Sequence, residues 1–198
     1  MQKIIDTVNE IIYLYEKHGN EDYIGEPVSQ IEHMCQCGQL AEAAGAKDEV
    51  ILAAFFHDIG HLCGFAFPEK NLQHMDHCGI VDHEKLGADY LLAKGFSQTI
   101  ANLVQSHVPA KRYLTYAHQA YYDRLSEASK KTLEFQGGAM TAEEAAAFKS
   151  DPLFNLYVSI RHWDDEAKKS NEPLPGLHGF RQMMIKHLSE QIKSKTAL

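Results

Sequence analysis

Seven consecutive apolar residues, Val50 to Phe56, run directly into His57-Asp58 and then Ile59-Gly60-His61. A run this apolar goes to the interior and carries an adjacent imidazole and carboxylate in with it. Burying those two groups is costly unless something compensates them, and a metal ion does so directly. The chain must therefore fold around a buried polar pair, and the pair points to a metal site.

The surrounding pattern is helical. Apolar positions Ile4, Ile5, Val8, Ile11, Ile12, Leu14 and Tyr15 recur at helical spacing. The same period returns around 28–44, 48–58, 82–93, 97–107, 152–168 and 178–195, and no strand-like alternation interrupts it. Gly25 with Pro27, Gly45, Gly64 to Pro68, Gly95, Pro109, Gly137-Gly138, and Pro173 with Pro175-Gly176 mark turns between these segments. None marks a domain boundary, and there is no internal repeat. The expectation is an all-α, single-domain helical bundle over residues 1–198, with 64–81 and 134–140 as functional loops.

A formal charge of −8, from 19 basic and 27 acidic side chains, argues against a nucleic-acid surface. No apolar run reaches bilayer-spanning length, and the first ten residues are amphipathic rather than signal-like. The expectation is a cytoplasmic protein without a membrane partner. Cys35, Cys37, Cys63 and Cys78 form no CxxC pair, so they read as reduced thiols, not zinc ligands.

The positions of the twelve histidines matter more than their number. His33 lies on the helix before His57-Asp58, His83 opens a later helix, His107 closes another ahead of Val108-Pro109, and Asp164 belongs to a further one. Five helices that each contribute inward nitrogen or oxygen donors match the way bundles build dinuclear carboxylate–histidine sites. Four histidines and two aspartates suffice for two metals and exceed what one catalytic zinc needs. Imidazole and carboxylate donors without thiolate suit iron or manganese. His74 and His77 compete with His83, and Asp165 with Asp164. Gly87, which allows close helix packing, favours His83, and a solvated acid is the plain reading of Asp165. His18, His118, His178 and His187 read as surface or core residues, and His162 turns to another face than Asp164. His61 follows His57 by four residues, on the same helical face. On so acidic a chain an anionic substrate needs local positive potential, which Lys111, Arg161 and His61 can supply, with Ser129 as a hydroxyl donor.

The order His33, His57-Asp58, Asp164 resembles the HD-domain superfamily, most of whose members are metal-dependent phosphohydrolases. With His83, His107, Tyr23-Ile-Gly-Glu26, Lys111-Arg-Tyr-Leu114, Ser129 and Gln136-Gly-Gly138, the chain resembles a narrower branch. That branch comprises the mixed-valent diiron oxygenases that cleave the carbon–phosphorus bond of 1-hydroxyphosphonates, distant relatives of myo-inositol oxygenase. The resemblance covers about 23–168, the expected metal-site core.

The resemblance implies two irons, one ferrous and one ferric, with O2 as co-substrate. Asp58 would bridge them, His33, His57 and Asp164 would hold one, and His83 and His107 the other. His61, Lys111, Ser129 and Arg161 would hold the phosphonate. Tyr23 would fill the vacant iron position before substrate arrives, and Glu26 would receive a substrate ammonium. The implied substrate is (R)-2-amino-1-hydroxyethylphosphonate, made by a separate hydroxylase and converted to phosphate and glycine. Without the resemblance, Tyr23 reads as a packed aromatic on a lid-like loop, Lys111-Arg112 as a solvated helix start, and Gln136-Gly137-Gly138 as a helix connection. Trp163 reads as core. A hydrolytic HD phosphatase acting on a nucleotide or phosphomonoester is the alternative, and a non-catalytic scaffold would be expected to have lost ligands.

Overall fold

The computed structural model describes residues 1–23, 25–66, 72–75, 79–174 and 176–196. Twelve α-helices cover most of them, and the described residues contain no strand beyond the isolated bridges Asp22 to Ser29 and His74 to Ile80. In chain order the helices are α1 (Gln2–His18), α2 (Gln30–Ala43), α3 (Asp48–Phe56), α4 (Ile59–Ala66), α5 (His83–Ala93) and α6 (Gln98–Gln105). They continue as α7 (His107–Ala117), α8 (Gln119–Arg124), α9 (Glu127–Phe135), α10 (Ala142–Lys149), α11 (Phe154–Glu166) and α12 (His178–Thr196). The all-α bundle expected from the periodicity is what forms.

The apolar run becomes the central helix. Every residue of α3 from Val50 to Phe56 is buried, against α2, α6, α11 and α12. A helix apolar on all sides needs neighbours on all sides. Phe55 is clamped between the Tyr15 ring, 4.4 Å away by centroids, and the Phe180 ring, 4.1 Å away. Tyr15 also donates its hydroxyl hydrogen to the Phe55 carbonyl at 3.0 Å, satisfying one of the carbonyls that the end of α3 leaves open. Neighbouring helices start where the sequence supplies caps. Ser29 and Glu32 form a capping box on α2, Ser97 caps α6, Ser126 caps α9, and Thr141 with Glu144 boxes α10.

The chain bends by 55° between α3 and α4, and His57-Asp58 sits at that elbow. No single helix among the described residues is long and apolar enough to cross a membrane; the bent pair α3–α4 has the composition, but Val50 to Phe56 and Ile59 to Cys63 are buried in the protein's own core. The bend removes the premise that His57 and His61 share one helical face.

Five helices lie outside the segments that the periodicity marks: α4, α7, α8, α9 and α10. The buried face of α7 consists of His107, Val108, Ala110, Lys111 and Leu114, which a hydropathy pattern reads as half polar. α8 and α10 each bury a single residue, so little apolar stripe exists to detect. His107 does not close a helix before Pro109. It opens α7, and Pro109 falls in the first turn, where its missing N–H breaks no helical hydrogen bond. The loop expected over 64–81 starts later, because α4 runs to Ala66, and that over 134–140 starts after Phe135. There Gly137 and Gly138 both take positive φ, 91° and 71°, and form the expected tight turn.

Close approach of α4 to α5 sets the far side of the elbow. A Cβ on Gly60 would lie 1.9 Å from the His83 carbonyl oxygen and 3.1 Å from the Gly87 nitrogen. Gly87 thus permits the packing expected of it. Gly60→Ala is expected to cost about 1–3 kcal/mol in denaturant unfolding, because backbone and not a flexible side chain must yield. Gly179→Ala on α12, where a Cβ meets nothing within 4 Å, is the control and should be neutral or mildly stabilising.

Candidate metal centre

Four imidazoles converge from four places in the bundle, each aimed by a carbonyl at its Nδ1. His33 donates to Ala167 O just past α11, at 2.8 Å, and His57 to Ala54 O in the last turn of α3, also at 2.8 Å. His83 donates to Ile80 O at 3.1 Å, and His107 to Val104 O in the last turn of α6 at 2.8 Å. A carbonyl only accepts, so each Nδ1 carries the hydrogen and each neutral ring keeps its lone pair on Nε2. The Nε2 atoms then face one another in pairs, His33 with His57 at 3.0 Å and His83 with His107 at 2.9 Å.

Opposed lone pairs at that distance repel unless a cation lies between them. Two nitrogens each about 2.0–2.1 Å from one metal and about 90° apart are separated by about 3 Å. The spacing fits. Asp58 lies between the two pairs. Its Oδ2 is 3.5 Å from His33 Nε2 and 3.2 Å from His57 Nε2, and its Oδ1 is 3.2 Å from His83 Nε2 and 3.3 Å from His107 Nε2. Asp164 Oδ1 stands 3.4 Å from His33 Nε2. Asp58 Oδ2 and Asp164 Oδ1 are buried with no hydrogen-bond partner, as metal-facing oxygens would be. His33, His57 and Asp58 form one donor group that can hold a metal ion, and Asp58, His83 and His107 form a second.

Burial acts to lower the imidazole pKa values, but the adjoining carboxylates outweigh it at His33, His57 and His83, which are raised, while His107 is lowered. Asp58 is held well below the ordinary carboxylate range against burial, by His57 first and then by the close approach of the His107 and His33 rings. The shared carboxylate is therefore ionised, and cations are what this site attracts.

His61 differs from the four. Its ring stacks on His83 at 4.0 Å between centroids, but its Nδ1 accepts from Ile80 N–H at 3.2 Å. Its hydrogen therefore sits on Nε2, the opposite tautomer, which makes it a donor and not a ligand. Burial and the neighbouring His83 push its pKa well below the ordinary value, so it stays neutral. Gly79 leaves room for this ring: a Cβ there would sit 2.5 Å from His61 Cε1.

The donor groups open into a cavity of ≈ 60 Å³ whose lining includes Tyr23, Glu26, His61, Lys111, Ser129 and Arg161. The structure thus brings together all the residues singled out from the sequence. Lys111 is 3 % exposed, not a solvated helix start; it donates to Thr132 Oγ1 at 2.9 Å, and burial followed by Arg161 pushes its pKa down to about 7. Arg161 Nη1 contacts Asp164 Oδ2 at 2.6 Å, and its Nη2 binds Asp165. Asp165, which also accepts from the Tyr121 hydroxyl at 2.8 Å, is a second anchor for the guanidinium and not a solvated acid. The Tyr23 ring stacks on His33 at 4.0 Å between centroids. Glu26 is not free: its Oε1 receives Lys168 Nζ and Ser126 Oγ, each at 2.6 Å.

His74 is exposed and belongs to neither donor group; His77 and Cys78 lie outside the described residues. Cys35, Cys37 and Cys63 are buried and form no disulfide among the described residues. Trp163 packs against the core, partly buried, and His162 is exposed. Lys168, which pairs with Glu26, was not singled out from the sequence; it lies just past the end of α11, where helical spacing gives no signal.

The sequence profile described as HD domain matches residues 31–149, a span that holds His33, His57, Asp58, His83 and His107. The chain belongs to the HD-domain family. It is 45% identical over 190 residues to an uncharacterized protein of Acanthamoeba polyphaga mimivirus, covering 96% of this chain and 85% of that one. It is 37% identical over 179 residues to the [1-hydroxy-2-(trimethylamino)ethyl]phosphonate dioxygenase (glycine-betaine-forming) of Leisingera caerulea, covering 88% of this chain and 89% of that enzyme. Against the hydroxymethylphosphonate dioxygenase of Gimesia maris it is 37% identical over 175 residues, 88% of this chain and 85% of the other.

Asp58 faces both nitrogen pairs and the histidines face one each. After loading with ferrous iron, His83→Ala is expected to retain about one metal per chain and Asp58→Ala close to none, against about two in the parent. Elemental analysis of desalted protein reads this. Equal retention in Asp58→Ala and His83→Ala would show that Asp58 is not shared.

Proposed function

We propose that this chain is a diiron oxygenase that breaks the carbon–phosphorus bond of a 1-hydroxyphosphonate, using O2 and releasing phosphate and a carboxylic acid. One observation carries the reading: a single buried carboxylate stands between two pairs of Nε2 atoms. The chain's 37% identity to two dioxygenases named for phosphonates supports it. His33, His57 and Asp164 would hold one iron, His83 and His107 the other, with Asp58 shared between them. One ferrous and one ferric ion bound there would supply the one-electron chemistry that O2 requires.

The remaining residues bind and orient. Asp164 and Asp165 fix the Arg161 guanidinium, and Lys111 adds an ammonium on the same cavity. His61 offers a neutral N–H from Nε2, and Ser129 a hydroxyl. These four hold the phosphonate. Tyr23, whose ring stacks on His33, would shield the donor groups before substrate binds. A separate hydroxylase supplies the substrate's C1 hydroxyl. The amino-substituted substrate, which would give glycine, requires its ammonium to displace Lys168 from Glu26. The two relatives do not choose the tail: one is named for a trimethylammonium substrate and one for a substrate without a tail, at equal identity.

Phosphate release from 1-hydroxyphosphonates by the iron-loaded protein should require O2 and cease under nitrogen. Release of phosphate from phosphomonoesters under nitrogen would identify a hydrolase instead.

Lys111 provides a second check. Its pKa of about 7 in the empty site, against 10.5 for the free side chain, leaves the amine largely neutral at pH 8.5. A bound dianion favours the ammonium, so binding at that pH takes up a proton. Calorimetric titration in buffers of different ionisation enthalpy should show this uptake, and Lys111→Met should lack it. The sign for folding is the reverse. The unfolded chain holds this proton up to the free-lysine pKa, so stability of the empty protein rises with pH between about 7 and 10.5. Lys111→Met should flatten that rise.

A further inference from the structure

Glu26 lines the metal cavity, but its negative charge is already met from behind. Lys168 Nζ lies 2.6 Å from Glu26 Oε1, and Ser126, whose hydroxyl also caps α9, donates to the same oxygen at 2.6 Å. The two charged side chains are 9 % and 14 % exposed. Lys168 does not face the metal cavity. It stands just past the end of α11 and lines an outer groove with Ser126, Arg124 and Asp165. The ammonium also approaches Ser129 Oγ at 3.4 Å and the Tyr23 ring at 6.0 Å from its centroid. The cavity wall at Glu26 is thus backed by a neutral ion pair and is not a bare carboxylate.

We propose that Lys168 is the residue that sets this enzyme's choice of substrate tail, and that it selects a 1-hydroxyphosphonate without a cationic substituent, hydroxymethylphosphonate being the simplest. The inference rests on the phosphonate-oxygenase reading above and adds the tail to it. A cationic tail at Glu26 must either displace Lys168, leaving a partly buried ammonium without its partner, or share one carboxylate with it at close range. Both are unfavourable in a site that already holds Lys111 and Arg161. Size acts in the same direction: the cavity is small, ≈ 60 Å³, and hydroxymethylphosphonate is the smallest molecule of its class.

The test compares hydroxymethylphosphonate with 2-amino-1-hydroxyethylphosphonate on the iron-loaded parent, Lys168→Met and Lys168→Arg. Specificity constants come from phosphate release in air, and dissociation constants from calorimetry under nitrogen. The parent should favour hydroxymethylphosphonate by about tenfold or more, the scale of one unmatched charge contact. Lys168→Met should shift the ratio at least about tenfold towards the amino compound, by baring Glu26, and Lys168→Arg should keep the parental order. A general structural defect would lower both substrates together. A parent that favours the amino compound, or an equal change for both in Lys168→Met, overturns the inference. If neither compound is turned over, the oxygenase reading fails, and the anaerobic binding order still decides for or against Lys168. Failure of both compounds to bind overturns the two readings together.

Discussion

Hydrogen bonds from four imidazole Nδ1 atoms to main-chain carbonyls organise this protein's interior. Three of those carbonyls belong to helix ends: Ala54 in the last turn of α3, Val104 in the last turn of α6 and Ala167 just beyond α11. A helix terminus leaves its last carbonyls without intrahelical partners, and burying them unpaired is costly. Here the ligand-type histidines satisfy them. One bond thus closes a helix end, fixes a tautomer and turns an Nε2 lone pair towards the centre of the bundle. The fold and the site are built from the same contacts.

That coupling explains why so many short helices meet at one point. His57 and Asp58 occupy the 55° elbow between α3 and α4, and His107 occupies the junction of α6 and α7. A straight helix through either position would present its side chains along one stripe. A break lets consecutive residues serve different purposes: His57 turns to the His33 pair while Asp58 reaches both pairs. The Gly60 and Gly87 contact then draws α5 close enough for His83 to meet His107.

Much of this was legible in the residues themselves. The apolar run ending in His57-Asp58 identified the central helix and the polar pair that had to follow it inside. Helical spacing recovered α1, α2, α3, α5, α6, α11 and α12, because each presents an apolar stripe or is apolar throughout. It missed α7 because the buried face of that helix carries His107 and Lys111, whose burial depends on the cavity they line. Side-chain partners were harder to read. Asp165 looked solvated although Arg161 precedes it by one helical turn, because only the fold buries that pair and adds Tyr121 from 44 positions away. Glu26 looked free because Lys168 lies 142 positions away, and pairing at that separation is created by the fold alone.

The two cationic side chains that face the cavity beside the donor groups solve the problem of burial in different ways. A guanidinium does not give up its proton, so Arg161 is tolerated only with carboxylates against it, and Asp164 and Asp165 supply them. An amine has a second route. Lys111 donates to two neutral oxygens, Ser129 O and Thr132 Oγ1, and its pKa falls to about 7, so at mildly alkaline pH it sheds the charge that burial penalises. Glu26, on the same cavity, is neutralised by Lys168 behind it. The lining therefore holds several ionisable groups with little uncompensated charge. An arriving dianion reverses the balance at one residue, because it favours the ammonium form of Lys111. Positive charge then appears where and when a bound dianion needs it, and the folded protein does not bear that charge otherwise.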